Sequence, residues 1–137
     1  MHVKLNFYDG VNCIGGNKIL LEDGDNSTLL DFGTNFNEEN KYFDEFLRPR
    51  QILGIYDHLH LSLIPPLRGL YREDLEIPGI WGDFKEHSLY REIEPLALLI
   101  SHAHLDHIGY LPYINHKIPI ITSLTSKIHH LCRKFQR

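Results

Sequence analysis

Residues 96–109 read Leu96-Ala97-Leu98-Leu99-Ile100-Ser101-His102-Ala103-His104-Leu105-Asp106-His107-Ile108-Gly109. The run from Leu96 to Ser101 has the length and apolar character of a strand buried on both faces in the middle of a layered α/β sheet. Directly after it, three imidazoles and a carboxylate fall within six positions, 102 to 107. In an extended turn, side chains at i and i+2 share a face, so His102 and His104 point together while the adjacent Asp106 and His107 diverge. Two neighbouring ions suit that pattern better than one, the first held by the histidine pair and the second by Asp106 and His107. Imidazole and carboxylate suit zinc, with manganese or iron as alternatives. Two such ions about 3.5–4 Å apart lower the pKa of a bridging water toward ~7 and polarise a carbonyl or phosphoryl oxygen. That is hydrolysis without a protein nucleophile. Satisfied turn histidines are the plain alternative, and the density of ligand types after one strand counts against it.

Outward from this motif, Val3, Leu5 and Phe7 alternate with polar residues as in a half-buried strand, which Asp9-Gly10 ends. Gly15-Gly16 leads into a strand over 18–22, Asp23-Gly24-Asp25-Asn26 makes a tight turn, and 27–32 returns antiparallel. A helix is predicted over 38–48, with Tyr42, Phe43, Phe46 and Leu47 on one stripe and Pro49 at its end. Between about 49 and 94, Pro65-Pro66, Gly69, Pro78-Gly79 and Gly82 interrupt every apolar run, so this stretch reads as an irregular insertion. Tyr71, Trp81, Phe84 and Tyr90 would give it a small core of its own, and Asp57-His58-Leu59-His60 reads as a solvated strand or turn. Ile118 to Thr122 is a second short buried strand, and Ser123 or Ser126 caps a closing helix still running at Arg137.

The chain has 137 residues, the usual size of one domain, and its 42% hydrophobic content against 23% charged excludes a disordered chain. A formal charge of −4 supplies no general attraction to nucleic acid or anionic membrane. Ten histidines against two cysteines place any metal chemistry on imidazole and carboxylate, and Cys13 and Cys132 are expected as free buried thiols in a reducing compartment. No basic-then-apolar segment follows Met1, and the apolar run 96–100 is far short of the ~20 residues of a membrane span, so a cytoplasmic location without membrane contact is expected. A phosphate-binding loop at 10–17 fails, because Gly16 and Asn17 stand where Lys and Ser or Thr are needed. The basic residues Lys127, Arg133, Lys134 and Arg137 suit the carboxyl end of a helix.

The segment His102-Ala103-His104-Leu105-Asp106-His107 resembles the HxHxDH motif of the metallo-β-lactamase superfamily, which lies at the end of a core strand. The resemblance extends to Gly15-Gly16-Asn17-Lys18 through Glu22 and to Leu29-Leu30-Asp31-Phe32-Gly33, similar to the family's first strands and their Asp-x-Gly turn. Residues 1–36 and 95–130 carry it. Asp106 to Pro112 is similar to the DHxGxLP continuation of ribonuclease J and the β-CASP RNA-processing nucleases. The main class of β-lactamases carries Arg in place of His107, and the flavodiiron branch carries Glu in place of His104.

The resemblance implies a four-layer αββα sandwich of which residues 1–137 form the amino-terminal half. It implies a hydrolase with two divalent ions, Zn2+ first and Mn2+ or Fe as alternatives. His102 and His104 would serve one ion and Asp106 and His107 the other, with Asp106 also interacting with the metal-bound water in catalysis. Asp31 would orient a ligand histidine through its free ring nitrogen; read locally, it is equally a turn cap before Gly33. The family completes its centre with a third histidine, a bridging Asp and a final histidine on later strands. His116, His129 and His130 lie 9 to 23 residues beyond His107, closer than those ligands fall, and read as surface or partner contacts. The implied activity is phosphodiester hydrolysis, in RNA first, through a metal-bound hydroxide, once a carboxyl-terminal half or complementing chain is present. Alternatives are another ester or thioester hydrolase of the superfamily, or a non-catalytic metal-binding or partner-completed module, for which a homodimer is one form.

Overall fold

The computed structural model describes residues 2–43 and 47–128. Strands β1 (Val3–Asp9), β2 (Lys18–Asp23) and β3 (Asn26–Leu30) pair antiparallel in sequence order, with the β2–β3 hairpin closed at the Asp23–Asn26 pair. After β3 come a single helical turn α1 (Phe36–Glu39), a short helix α2 (Tyr56–His60), and a two-stranded ladder of β4 (Leu67–Arg68) and β5 (Arg91–Glu92). The chain then returns to the main sheet as β6 (Ala97–Ile100), passes through α3 (Leu105–Ile108), and adds β7 (Ile120–Thr122). The five-stranded sheet has the order β1-β2-β3-β6-β7, with β6 parallel to both β3 and β7. This is a mixed α/β fold with few helices among the described residues, none of them long and apolar enough to cross a membrane.

The register separates the two faces of the sheet. Leu20, Leu29 and Leu98 stand in line across β2, β3 and β6, and all three are fully buried. They join one cluster with Ile55, Leu59, Ile64, Leu67, Leu70 and Tyr71 from the segment between α1 and β6. Trp81 and Phe84 belong to that same cluster, so the aromatics of 71–84 extend the sheet's core and do not form a small one of their own. The stretch lacks a readable period because its order is carried by 3-10 turns at Gln51–Leu53, Glu73–Leu75 and Ile80–Phe84 and by two-residue strands.

Three other expectations change. The opposite face, with Val3, Leu5 and Phe7 of β1, Leu99 of β6 and Ile121 of β7, is exposed. Alternation correctly places these side chains on one face, but nothing among the described residues covers them, so β1 is not half-buried and β6 has Leu99 open on this face. Strand β7 is likewise an exposed edge, with Ile120 and Ile121 both open and only Ile118 before it buried.

The helix expected over 38–48 is instead α1. Asn35 starts it early by accepting the Glu38 amide on its side chain, and the Asn40 amide closes the turn on Phe36. Residues 44–46 of that expectation lie outside the described residues. At the other end Ser123 does cap a helical segment over 124–128, its hydroxyl accepting the Ser126 amide. The rest of the closing helix expected from sequence, with His129, His130, Cys132 and the basic residues beyond Lys127, lies outside the described residues.

Candidate metal centre

The motif is placed by the parallel pairing of β3 and β6. Leu30 stands beside Leu99, so the chain leaves both strands at one edge, where Asp31 of one meets Ser101 of the other. Asp31 adopts a left-handed backbone, φ 56°, which Asp tolerates better than most residues. This turns its carboxylate under the motif: Oδ1 accepts the Ser101 amide at 2.8 Å and Oδ2 accepts the Ser101 hydroxyl at 2.8 Å. His107 Nδ1 lies 2.7 Å from the same Oδ2. The Ser101 hydroxyl also lies 3.0 Å from His102 Nδ1.

The Asp31 carboxylate, which can only accept, favours one tautomer for each ring. With its proton given to Asp31, Ser101 Oγ is left to accept from His102 Nδ1–H, and Asp31 accepts from His107 Nδ1–H. Both rings then keep their Nε2 lone pairs for a ligand. The Asp31 carboxylate is therefore an orienting acceptor for His107 and for Ser101 together, which goes beyond a local turn cap.

On the open side, donor atoms of His102, His104 and Asp106 all lie within 4.8 Å of one another. The His102 ring centroid is 4.7 Å from that of His104 and 3.9 Å from that of His107. His107 Nε2 comes within 3.6 Å of Asp106 Oδ2. Asp106 and His107 therefore converge, contrary to the extended-turn expectation, because residues 105–108 form a helical turn and not a strand. The three-residue group joins Asp106 to the histidine pair, while Asp106 also faces His107, so this carboxylate is common to both halves of the motif. His104 is exposed, His102 and Asp106 are half-buried, and His107 is mostly covered. The donor set, two imidazoles and a carboxylate with open access plus an oriented third imidazole, fits a divalent cation such as zinc or manganese.

Backbone packing holds this geometry. The Asp106 carbonyl accepts the Gly16 amide at 2.9 Å, the His107 carbonyl accepts the Phe32 amide at 2.9 Å, and the Leu105 carbonyl accepts the Thr34 amide at 3.0 Å. A Cβ at Gly33 would overlap the Asp106 carbonyl, and one at Gly15, φ 78°, would overlap the Asp106 side chain. These two glycines allow the β1–β2 loop and the turn after β3 to close on α3 from two sides.

No family model and no curated protein sequence matches the chain. Among solved structures it is similar to a protein of unknown function from Enterococcus faecalis V583, at 27% identity and a TM-score of 0.69 over 96% of this chain. The chain spans 28% of the length of that protein.

Of the residues singled out in sequence, Asp31, His102, His104, Asp106 and His107 are brought together. His116 is exposed and is in no potential metal-binding group of the described residues. His58 is not solvated: on α2 it is 1% exposed, with Tyr113 Oη 3.2 Å from its Nε2 and the rings of Tyr110 and Tyr113 against it. Burial drives its pKa down to about 4, opposed by Asp57. Cys13 is a half-buried free thiol. Sequence reasoning assigned no role to Ser101 or to Asn17, whose amide Nδ2 lies 3.3 Å from His107 Nδ1. The one signal for Ser101 is a hydroxyl at the exit of a strand leading into the histidine-rich motif.

Proposed function

We propose that this chain carries part of the metal centre of a hydrolase of the metallo-β-lactamase type, acting on phosphodiesters, with RNA as the first substrate to test. The observation that carries the reading is the convergence of His102, His104 and Asp106, with His107 held beside them by Asp31. His102, His104 and Asp106 would hold one divalent ion, and Asp106 with His107 a second. When bound, such ions supply Lewis acidity toward a phosphoryl oxygen and make water a competent nucleophile near neutral pH. The chain's own contribution is orientation: Ser101 and Asp31 keep the ring nitrogens of His102 and His107 available, and Asp106 offers its carboxylate to both halves of the site. Exposure of His104 leaves the centre open to a substrate as large as a nucleic-acid strand.

The finer architecture we propose is the four-layer αββα sandwich. Support comes from the exposed face bearing Val3, Leu5, Phe7, Leu99 and Ile121, an apolar surface that spans the sheet and is suited to packing on a second sheet about 10 Å away. The remaining ligands would come with that second layer. Another ester or thioester would be hydrolysed by the same constellation with a different pocket.

Calorimetric titration with Zn2+ and with Mn2+ tests the reading on the chain and on its His102→Ala/His104→Ala variant. Saturable binding that disappears in the double variant is expected. No binding in either protein, or equal binding in both, overturns the metal centre. For the activity, phosphodiester hydrolysis by a protein completed with its second layer should be abolished by the same two substitutions, and retained hydrolysis overturns it.

A further inference from the structure

Behind the metal centre lies an ion pair that the proposed chemistry does not use. Lys18, at the start of β2, lies on the same buried face of the sheet as Leu20 and is 1% exposed. Its Nζ donates to Asp9 Oδ2 at 3.0 Å and to the Gly16 carbonyl at 3.1 Å. The Asp9 carboxylate in turn accepts the Gly10 amide at 2.8 Å and Asn35 Nδ2 at 3.0 Å. Lysine is seldom fully buried, and replacing a buried ion pair by apolar residues is often neutral or stabilising, so stability alone does not account for this one. What the pair supplies, and an apolar side chain would not, is a set of directed hydrogen bonds at both ends of the loop 10–17.

That loop touches the candidate site at three points. The Gly16 amide donates to the Asp106 carbonyl, Gly15 packs on the Asp106 side chain, and the Asn17 carbonyl accepts the Gly33 amide at 3.1 Å while its side chain faces His107. Gly16 is thus held through its carbonyl by Lys18 and holds Asp106 through its amide.

We propose that Lys18 and Asp9 are positioning residues for the metal centre: through Gly16 they set where the Asp106 backbone, and hence the Asp106–His107 half of the site, sits. This rests on the metal reading above. Burial pushes the Lys18 ammonium below the ordinary lysine range, and the neighbouring Asp9 opposes that.

The test is a Lys18→Met/Asp9→Asn double variant, which removes both charges and leaves an acceptor at position 9 for the Gly10 amide. Two readouts are taken: hydrogen exchange of the Gly16 amide by NMR, and Zn2+ affinity by calorimetry, each set against the urea midpoint. The expected result is a midpoint close to that of the unmodified chain, loss of Gly16 protection, and Zn2+ affinity reduced by about tenfold or more, the usual cost of disturbing groups that orient ligands. A folded double variant with unchanged Gly16 exchange and unchanged Zn2+ affinity overturns the proposal. If the double variant does not fold, Asn35→Asp decides by the same readouts, since it keeps the α1 cap oxygen but turns the Asp9 contact repulsive. Failure of the unmodified chain to bind Zn2+ overturns the metal reading, and the Gly16 exchange arm still decides whether the pair controls the Asp106 backbone.

Discussion

His58 provides a sharp test of how the segment between α1 and β6 is packed. It sits on α2 within 6 Å of the rings of Phe43, Tyr110 and Tyr113, and among the described residues its Nδ1 has no hydrogen-bond partner. Burial lowers its pKa from 6.5 to about 4. The folded state therefore resists a proton that the unfolded state accepts. As pH falls below about 6.5, the unfolded chain gains that proton first and stability is lost, until the folded histidine also titrates near 4 and the loss levels off. Over the whole window the shift corresponds to about 3 kcal/mol, of which about 2 kcal/mol falls between pH 7 and pH 5. Urea unfolding of the chain and of His58→Leu at the two pH values isolates this contribution from the other histidines. The unmodified chain should lose about 2 kcal/mol more than the variant on going to pH 5. Equal losses would refute the burial argument, and so would an NMR titration of the His58 ring with a midpoint above 6, a measurement that needs no variant.

Two further outcomes follow from the site and the sheet. Asp31→Asn keeps the shape and tolerates the left-handed backbone but weakens the acceptor for His107, so Zn2+ affinity should fall by about 10- to 100-fold in calorimetry while the fold persists. Unchanged affinity would remove Asp31 from the centre. Leu5→Thr/Phe7→Thr alters only the exposed face, so binding of a hydrophobic dye should drop while stability stays within about 0.5 kcal/mol in urea unfolding. A large destabilisation would mean that this face is already covered.

The hairpin of β2 and β3 and the strand β6 were legible because each is short, apolar and bounded by a Gly or Asp turn or by the motif itself. The pattern of β1 placed Val3, Leu5 and Phe7 on one face correctly, yet alternation reports which side chains share a face and not whether another layer lies over it. The helix expected at 38–48 failed in extent: Asn35 starts it at Phe36, and after Glu39 the Lys41 and Tyr42 amides bond three residues back in turns that do not continue it among the described residues. Residues 49–94 gave no period, although Ile55, Leu59, Leu67, Leu70 and Tyr71 are as buried as any residue of the sheet. Burial there is decided residue by residue in short turns, which leave no repeat to read.

The sequence alone determined which candidate metal-binding side chains crowd together, since His102, His104, Asp106 and His107 lie within six positions and no folding can separate them far. Resemblance, and not spacing, pointed to Asp31. Tertiary structure decided the rest. The helical turn at 105–108 brings Asp106 and His107 together where an extended chain would part them. The β3–β6 pairing sets Asp31 under Ser101 and the His107 ring, 70 and 76 residues further along the chain. The burial of Lys18 with Asp9 was likewise invisible in sequence, because a lysine opening a strand normally marks the solvent side, and only the packing of loop 10–17 against α3 turns it inward.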